Sequence, residues 1–317
     1  MDKVRFLSTR KMRTIRENIP LYVMLAPFIT LFLLFTVIPI LSSVVLSFFS
    51  FDMISMPRFT GIDNYARMFL EDEVFPIAVK NTLLFAVITG PIGFILAFVL
   101  AWFINEFTAH VRSVLSLMFY APALIGNGYF IWQIAFSGDS YGYINSALLS
   151  LNFITQPIQW LKDPNYVLYI IMLVQIWLSL GVSFLANIAG LQNINQELYE
   201  AGSIDGIQNR WQELWYITMP SMKSMLLFGA VMQIQASFSV SQAVIALAGF
   251  PSINHAADTI VTHLIDVGTV RYEMGYAAAI SFFLFALMAI ARVSIGKLIN
   301  MVRNRSKYRD KIRERQS

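Results

Sequence analysis

Residues 200–220 read Glu-Ala-Gly-Ser-Ile-Asp-Gly-Ile-Gln-Asn-Arg-Trp-Gln-Glu-Leu-Trp-Tyr-Ile-Thr-Met-Pro, a polar segment set between two long apolar runs. Leu198, Ala201, Gly202 and Asp205 fall on one helical face, because positions three and four apart stack on the same side. Asp205-Gly206 is a turn signal, since Gly takes the positive φ that other residues resist. Trp211, Leu214, Trp215 and Thr218 then recur at i, i+3, i+4 and i+7, which predicts a second helix. Pro220 stops it or starts the next span. The stretch therefore reads as helix, glycine turn, helix, held outside a bilayer and shown to a partner.

The chain around it has 317 residues, 57% hydrophobic and 13% charged, with a mean hydropathy of +0.61. A soluble domain carries roughly 25% charged and about 45–50% apolar residues, so the composition points to a polytopic membrane protein. The chain has no cysteine, which removes disulfides and thiolate metal sites. His110, His255 and His263 are too scattered to suggest a metal cluster. The net charge of +4 is not a nucleic-acid signal: of 23 Lys and Arg, six lie in residues 1–16 and eight in 297–317. Two basic tails of this kind are what the positive-inside rule expects of cytoplasmic ends.

In chain order, a basic tail over 1–19 precedes an apolar run from Leu21 to about Phe49. That run is too long for a cleaved signal peptide and suits a first span, since a bilayer core of ~30 Å needs about 20 helical residues. Pro27 and Pro39 are expected to bend it. Further spans are expected at about 80–105, 112–136, 165–191, 223–249 and 274–299. The acidic 50–78, 137–164 and 250–273 loops suit the outside, and the short 105–112 connection suits the inside. Six spans put both tails and the 192–222 loop in the cytoplasm, giving a transmembrane domain over 20–300 and a second tail over 301–317.

Glu200-Ala201, Asp205-Gly206, Ile217 and Pro220 also resemble the EAA loop of bacterial ABC importer permeases, which runs E-A-A, three residues, G, and later I-x-L-P. Gly190-Leu191-Gln192-Asn193-Ile194 and Glu197-Leu198-Tyr199 match the lead-in of the carbohydrate-uptake branch. Two positions depart from the pattern: Gly202 stands where the family has Ala, and Ile207 follows Gly206 where Ala is usual. Phe59-Thr60-Gly61-Ile62-Asp63-Asn64-Tyr65, Asn81-Thr82, Trp177 with Gly181, and Gly275-Tyr276-Ala277-Ala278-Ala279 are similar to the same group. The resemblance covers roughly residues 20–300. It implies an all-α polytopic membrane protein with six transmembrane helices and the type I ABC importer permease fold. It also implies a second homologous permease, two ATPase subunits carrying ATP and Mg, an extracytoplasmic solute-binding protein, a sugar substrate and the bacterial cytoplasmic membrane. Glu200 would pair with a basic residue in a cleft of the ATPase, and Gly206 would permit the turn. Residue chemistry alone favours Glu200 and Asp205 as solvated groups or caps of the nearby helices; the full motif favours the docking role.

The cores of the expected spans hold no Asp, Glu or Lys, and Arg292 lies near the cytoplasmic end, where it can snorkel. Ion-coupled carriers place ionisable groups inside the bundle, so nothing here suits ion coupling. No G-x-x-x-x-G-K-[ST] occurs, so ATP would act through another polypeptide. For a solute path the candidates are Gln175 and Ser179 on the fourth span, and Gln235, Ser239 and Gln242 at i, i+4, i+7 on the fifth. Asn127, Tyr129, Trp132 and Gln133 join them on the third, near Pro122, Gly126 and Gly128. Amides, hydroxyls and aromatic faces suit a neutral, hydroxyl-rich ligand, although such residues also bond neighbouring helices. A stand-alone channel or facilitator explains the absent coupling groups equally well, but not the order of the loop motif. An intramembrane enzyme would need paired catalytic groups within the spans, and none is visible.

Overall fold

The computed structural model describes residues 18–125 and 128–294. Among these, the first helix α1 (Ile19–Leu46) is 28 residues long and very apolar, with none of its most apolar stretch buried against the rest of the chain. At 1.5 Å per residue it extends about 42 Å, more than a ~30 Å hydrocarbon core. It runs through Pro27, and a π-type turn at Leu33–Val37 precedes Pro39. The proline's missing N–H is thus absorbed without ending the helix.

The 50–78 segment is more ordered than an unstructured loop. Strands β1 (Phe49–Ser50) and β2 (Arg58–Phe59) pair antiparallel, and α2 (Asp63–Leu70) follows. This pair is the departure from an all-helical chain. The Asn64 amide donates to the Ser47 and Phe49 carbonyls at 2.9 and 3.0 Å, satisfying the end of α1. The Tyr65 hydroxyl donates to Ser47 Oγ at 2.8 Å. The F-x-G-x-x-N-Y stretch is therefore a clip for the helix end.

Helix α3 (Val74–Asn105) has 32 residues and begins six residues before the sequence pattern suggests. Asp72 explains the early start, because its Oδ1 accepts the Val74 and Phe75 N–H groups, both at 2.9 Å. The third apolar run divides into α4 (Ala109–Leu124) and α5 (Tyr129–Ala135). A short helix α6 (Tyr143–Ser150) lies in the next loop. The fourth run forms α7 (Val167–Leu178) and α8 (Val182–Gln192), long and apolar enough together to cross a membrane. Past the 192–222 segment, α11 (Lys223–Phe238) and α12 (Gln242–Ala248) meet at 41°. Helix α13 (Ile260–Ile265) continues through Asp266–Val270, and α14 (Met274–Ser294) is the last described element. Residues 1–17 and 295–317, which hold most of the two basic tails and the end of the sixth expected span, lie outside the described residues.

Among the described residues, four helices are long and apolar enough to span a membrane, and up to six spans result if each interrupted pair is one span. The chain is a multi-pass membrane protein. Helix α3 is its axis, packed between α8 and α11. Gly93 lets α11 close in, since a Cβ there would collide with the Gln233 amide of that helix and lie 2.6 Å from Ser179 Oγ. One apolar cluster joins Phe85 to Ile171, Val174 and Val244. A second joins Ala97, Phe98, Ala101 and Ile104 to Phe184, Ile188, Leu214 and Met222, so the 192–222 segment shares a core with the bundle. The third holds Met68, Phe75, Ile260, Val267 and Tyr276 at the far end of α3.

Polar ties fix that far end. Asn81 donates to the Ala256 and Asp258 carbonyls at 3.1 and 2.9 Å, and Thr82 Oγ1 accepts the Ile260 N–H at 2.9 Å. Asp72 Oδ2 lies 2.8 Å from His263 Nε2 and accepts the Tyr276 hydroxyl at 2.5 Å. Beside it Arg67 pairs with Glu273 at 2.5 Å, its guanidinium 4.4 Å from the Tyr276 ring centroid. Gly275 leaves no room for a side chain, because a Cβ would collide with the Phe49 carbonyl.

Candidate functional site

The 192–222 segment folds as a helical hairpin. Helix α9 (Glu197–Ile204) ends in a Schellman turn: the Ile207 N–H donates to the Gly202 carbonyl at 2.9 Å and the Gly206 N–H to Ser203 at 3.4 Å. Gly206 sits at the left-handed position with φ +91°. Asn209 then caps α10 (Arg210–Glu213) by accepting the Gln212 N–H at 2.9 Å, while the Gln212 side chain accepts the Gln208 N–H at 2.9 Å. Helical structure continues as a π-type turn over Leu214–Thr218 and into Met219–Ser221, which contains Pro220.

Burial divides this hairpin into two sides. Gly202, Leu214, Ile217 and Thr218 face inward, and the Tyr199 hydroxyl meets Thr218 Oγ1 at 2.9 Å between the two arms. Glu200, Ala201, Asp205, Gly206 and Pro220 are exposed. Neither the Glu200 nor the Asp205 carboxylate bonds to another described residue; the capping side chains are Asn195 and Asn209. Of the predicted second face, Leu214 and Thr218 turn inward, whereas Trp211 and Trp215 stay more than 60% exposed. Ile204 and Tyr216, which spacing did not single out, are exposed too.

Gly202 and Ile207, the two departures from the EAA pattern, are neighbours. A Cβ at 202 would lie 2.6 Å from Ile217 Cδ1 and 3.1 Å from Ile207 Cδ1, so the larger Ile207 occupies space that Gly202 leaves. Gly202→Ala is expected to lower stability by about 1–3 kcal/mol, as overpacking does. Adding Ile217→Val removes the clashing Cδ1 and restores most of that loss. Thermal unfolding of the two variants in detergent checks this, and equal melting temperatures would refute it.

The hairpin borders a cleft of ≈ 720 Å³ with Trp102, Glu106, Arg112, Tyr199, Glu200 and Arg210 on its walls. Arg210 bridges Glu106 at 2.8 Å and Glu213 at 2.6 Å. Its guanidinium is held more strongly charged than usual, chiefly by the Glu213 hydrogen bond, with burial opposing and Glu106 assisting.

The polar candidates within the spans separate. Gln235, Ser239 and Gln242 are each exposed, but they do not share one helical face as their spacing predicts, because α11 ends at Phe238 and α12 begins at Gln242 across the 41° bend. Gln235 opens on a groove shared with Phe285, Met288 and Arg292 of α14. Gln175 and Ser179 are half-buried, and Ser179 donates to the Ile176 carbonyl at 2.7 Å. Tyr129 and Trp132 pack on the core between α7 and α12, with Trp132 edge-on to Trp177 at 5.4 Å. Gln133 donates to the Ala246 carbonyl. Asn127 lies outside the described residues.

Sequence reasoning missed a second polar seam between α3, α8 and α11. Thr89 Oγ1 and Ser237 Oγ are 3.3 Å apart, Gln233 donates to the Thr89 carbonyl at 3.3 Å, and Ser183 donates to Gly229 at 3.4 Å. Asn187, wholly buried beside them, has no partner for its amide among the described residues. The Gln233–Ser237 spacing of four was the available signal.

Comparison with known proteins bears on this architecture directly. No protein-family model matches the chain. A probable ABC transporter permease protein, YesP of Bacillus subtilis, is 32% identical over 293 residues, covering 91% of this chain and 93% of YesP. The arabinooligosaccharides transport system permease protein AraP of the same organism is 29% identical over 279 residues, 87% of each chain. The lactose transport system permease protein LacF of Rhizobium radiobacter is 32% identical over 212 residues, 66% of this chain and 70% of LacF. A chain in the crystal structure of a bacterial alginate ABC transporter, in complex with an alginate pentasaccharide-bound periplasmic protein, superimposes with a TM-score of 0.73. It covers 89% of this chain and 94% of that one at 24% identity, a likeness of fold. The chain belongs to the ABC transporter permease family.

Proposed function

We propose that this chain is one of two permease subunits of an ATP-driven, binding-protein-dependent sugar importer in a bacterial cytoplasmic membrane. The observation that carries the proposal is the two-sided hairpin. Its inner side shares a core with α3 and α8, and its outer side exposes Ile204, Trp215 and Tyr216 beside the free carboxylates of Glu200 and Asp205. Exposed apolar groups rimmed by charge are what an interaction surface needs, and a carboxylate pairs strongly with a partner's arginine. That partner is a pair of ATPase subunits, which carry the ATP and Mg.

Topology follows from the same reading. Six spans, counting α4 with α5 and α11 with α12, place both termini and the hairpin in the cytoplasm and the Asp72 end outside. Helix α1, unburied along its apolar stretch, leaves a face for lipid and the second permease. The exposed Gln235, Ser239 and Gln242, grouped around the break between α11 and α12, line the sugar path, because polar side chains are poorly placed against lipid. Sugar hydroxyls suit their amides and hydroxyl, and the names of AraP and LacF and the alginate complex support a carbohydrate delivered by a binding protein.

The test is to express the tagged chain with its genomic neighbours, extract it in mild detergent and identify what accompanies it. A second permease and an ATPase are expected, with the ATPase reduced by Glu200→Ala. Purification of the chain alone, passing solute in liposomes without ATP, would make it a facilitator.

A further inference from the structure

The contacts of Arg210 extend beyond the hairpin to the turn between α3 and α4. We propose that Arg210 and Glu106, backed by Trp211 and Trp102, form a clasp that makes the hairpin and the α3–α4 turn move as one body. This rests on the hairpin being the ATPase dock, and it assigns the route by which movement there reaches the bundle.

Arg210 opens α10 just past the Gly206 turn. Its Nη1 holds Glu213 of its own helix at 2.6 Å, and its Nη2 holds Glu106 at 2.8 Å. A guanidinium fork engages two carboxylates in fixed directions, which a lysine ammonium does not. The Trp102 and Trp211 rings make a second tie, with centroids 5.5 Å apart. On the far side, Arg112 donates to Asn105 Oδ1 at 3.2 Å, joining the start of α4 to the end of α3. Glu106 lies two residues beyond Ile104, which is buried in the core shared with α8.

The Arg210 and Glu106 side chains are 62% and 42% exposed. An ion pair that open contributes little to stability, so its value is in fixing direction. Two separate ties, one ionic and one aromatic, prevent the hairpin from swivelling on the bundle.

The experiment uses the absence of cysteine. Spin labels are placed on Thr108→Cys in the α3–α4 turn and Ser203→Cys in α9, in the chain purified with its ATPase. The distance between them is measured with and without MgATP and vanadate. One narrow distance, the same in both conditions, is expected, together with its loss to a broad or double distribution in Glu106→Gln and in Arg210→Lys. A distance that shifts with nucleotide in the unmodified clasp, or stays narrow in both clasp variants, would overturn the proposal. The amount of ATPase recovered separates the two readings. A clasp variant should retain its ATPase, whereas an unmodified chain that recovers none contradicts the dock. In that case the same distance, measured in the chain alone with and without Glu106→Gln, still decides the clasp.

Discussion

Gly206→Pro is expected to abolish ATP-driven uptake while leaving the transmembrane bundle folded. Gly206 sits at φ +91° and donates its N–H to Ser203, whereas proline fixes φ near −65° and has no N–H. The Schellman turn must open, at a cost of about 3 kcal/mol or more, which is roughly a hundredfold against the closed turn. Opening it releases the Ile207–Gly202 bond and the entry to α10, so α9 no longer holds Glu200 and Asp205 in fixed relation to Trp215. Nothing in the three apolar clusters touches residue 206, where a side chain would meet open space. The melting temperature should therefore stay close to that of the unmodified chain while uptake in proteoliposomes with the ATPase falls away. Gly206→Ala fits the space but strains the φ, and should give an intermediate loss. Full uptake in Gly206→Pro would show that the turn has no part in coupling.

Asp72→Ala is expected to destabilise the opposite end by about 3–5 kcal/mol, because several buried groups lose the one carboxylate they share. The carboxylate serves the Val74 and Phe75 N–H groups, His263 and Tyr276 at once, and His263 is only 2% exposed. Its loss leaves each of them without a partner. The same site predicts a pH dependence. Burial pushes the Asp72 carboxyl up, but the Tyr276 hydroxyl, the Phe75 N–H and His263 outweigh it and hold the group below the usual carboxylate range. A lowered folded value means that the stabilisation is complete above the unfolded value of about 4 and is lost as pH falls through the folded one. Melting of the unmodified chain should drop below about pH 4 more steeply than that of Asp72→Asn. Parallel curves for the two would remove Asp72 as the cause.

The hairpin was legible in the sequence because its signals are local. Gly206 marks a positive φ, the Trp211, Leu214, Trp215 and Thr218 period marks the second helix, and the EAA order singles out Glu200. The helix faces were less legible. A span that is apolar all round carries little periodic signal, so Gln233, Gln235 and Ser237 compete on one helix, and nothing in the spacing reveals the break before Gln242. Only packing against Thr89 shows that Gln233 and Ser237 are the buried pair. The early start of α3 depends on Asp72, whose other partners lie 191 and 204 residues away. No local pattern can supply those. Gly202 departs from its motif for a reason only packing supplies: Ile207 and Ile217 fill the space beside it.

The central claim, that the exposed side of the hairpin is the ATPase dock, is tested most directly by Ala201→Cys in this cysteine-free chain. Ala201 is exposed next to Glu200, so a photoreactive thiol probe there lies on the face assigned to the partner. In the purified complex, irradiation should crosslink the chain to its ATPase subunit. An assembled complex whose ATPase remains unlabelled from this position, while labelled from elsewhere on the same face of the membrane, would contradict the account.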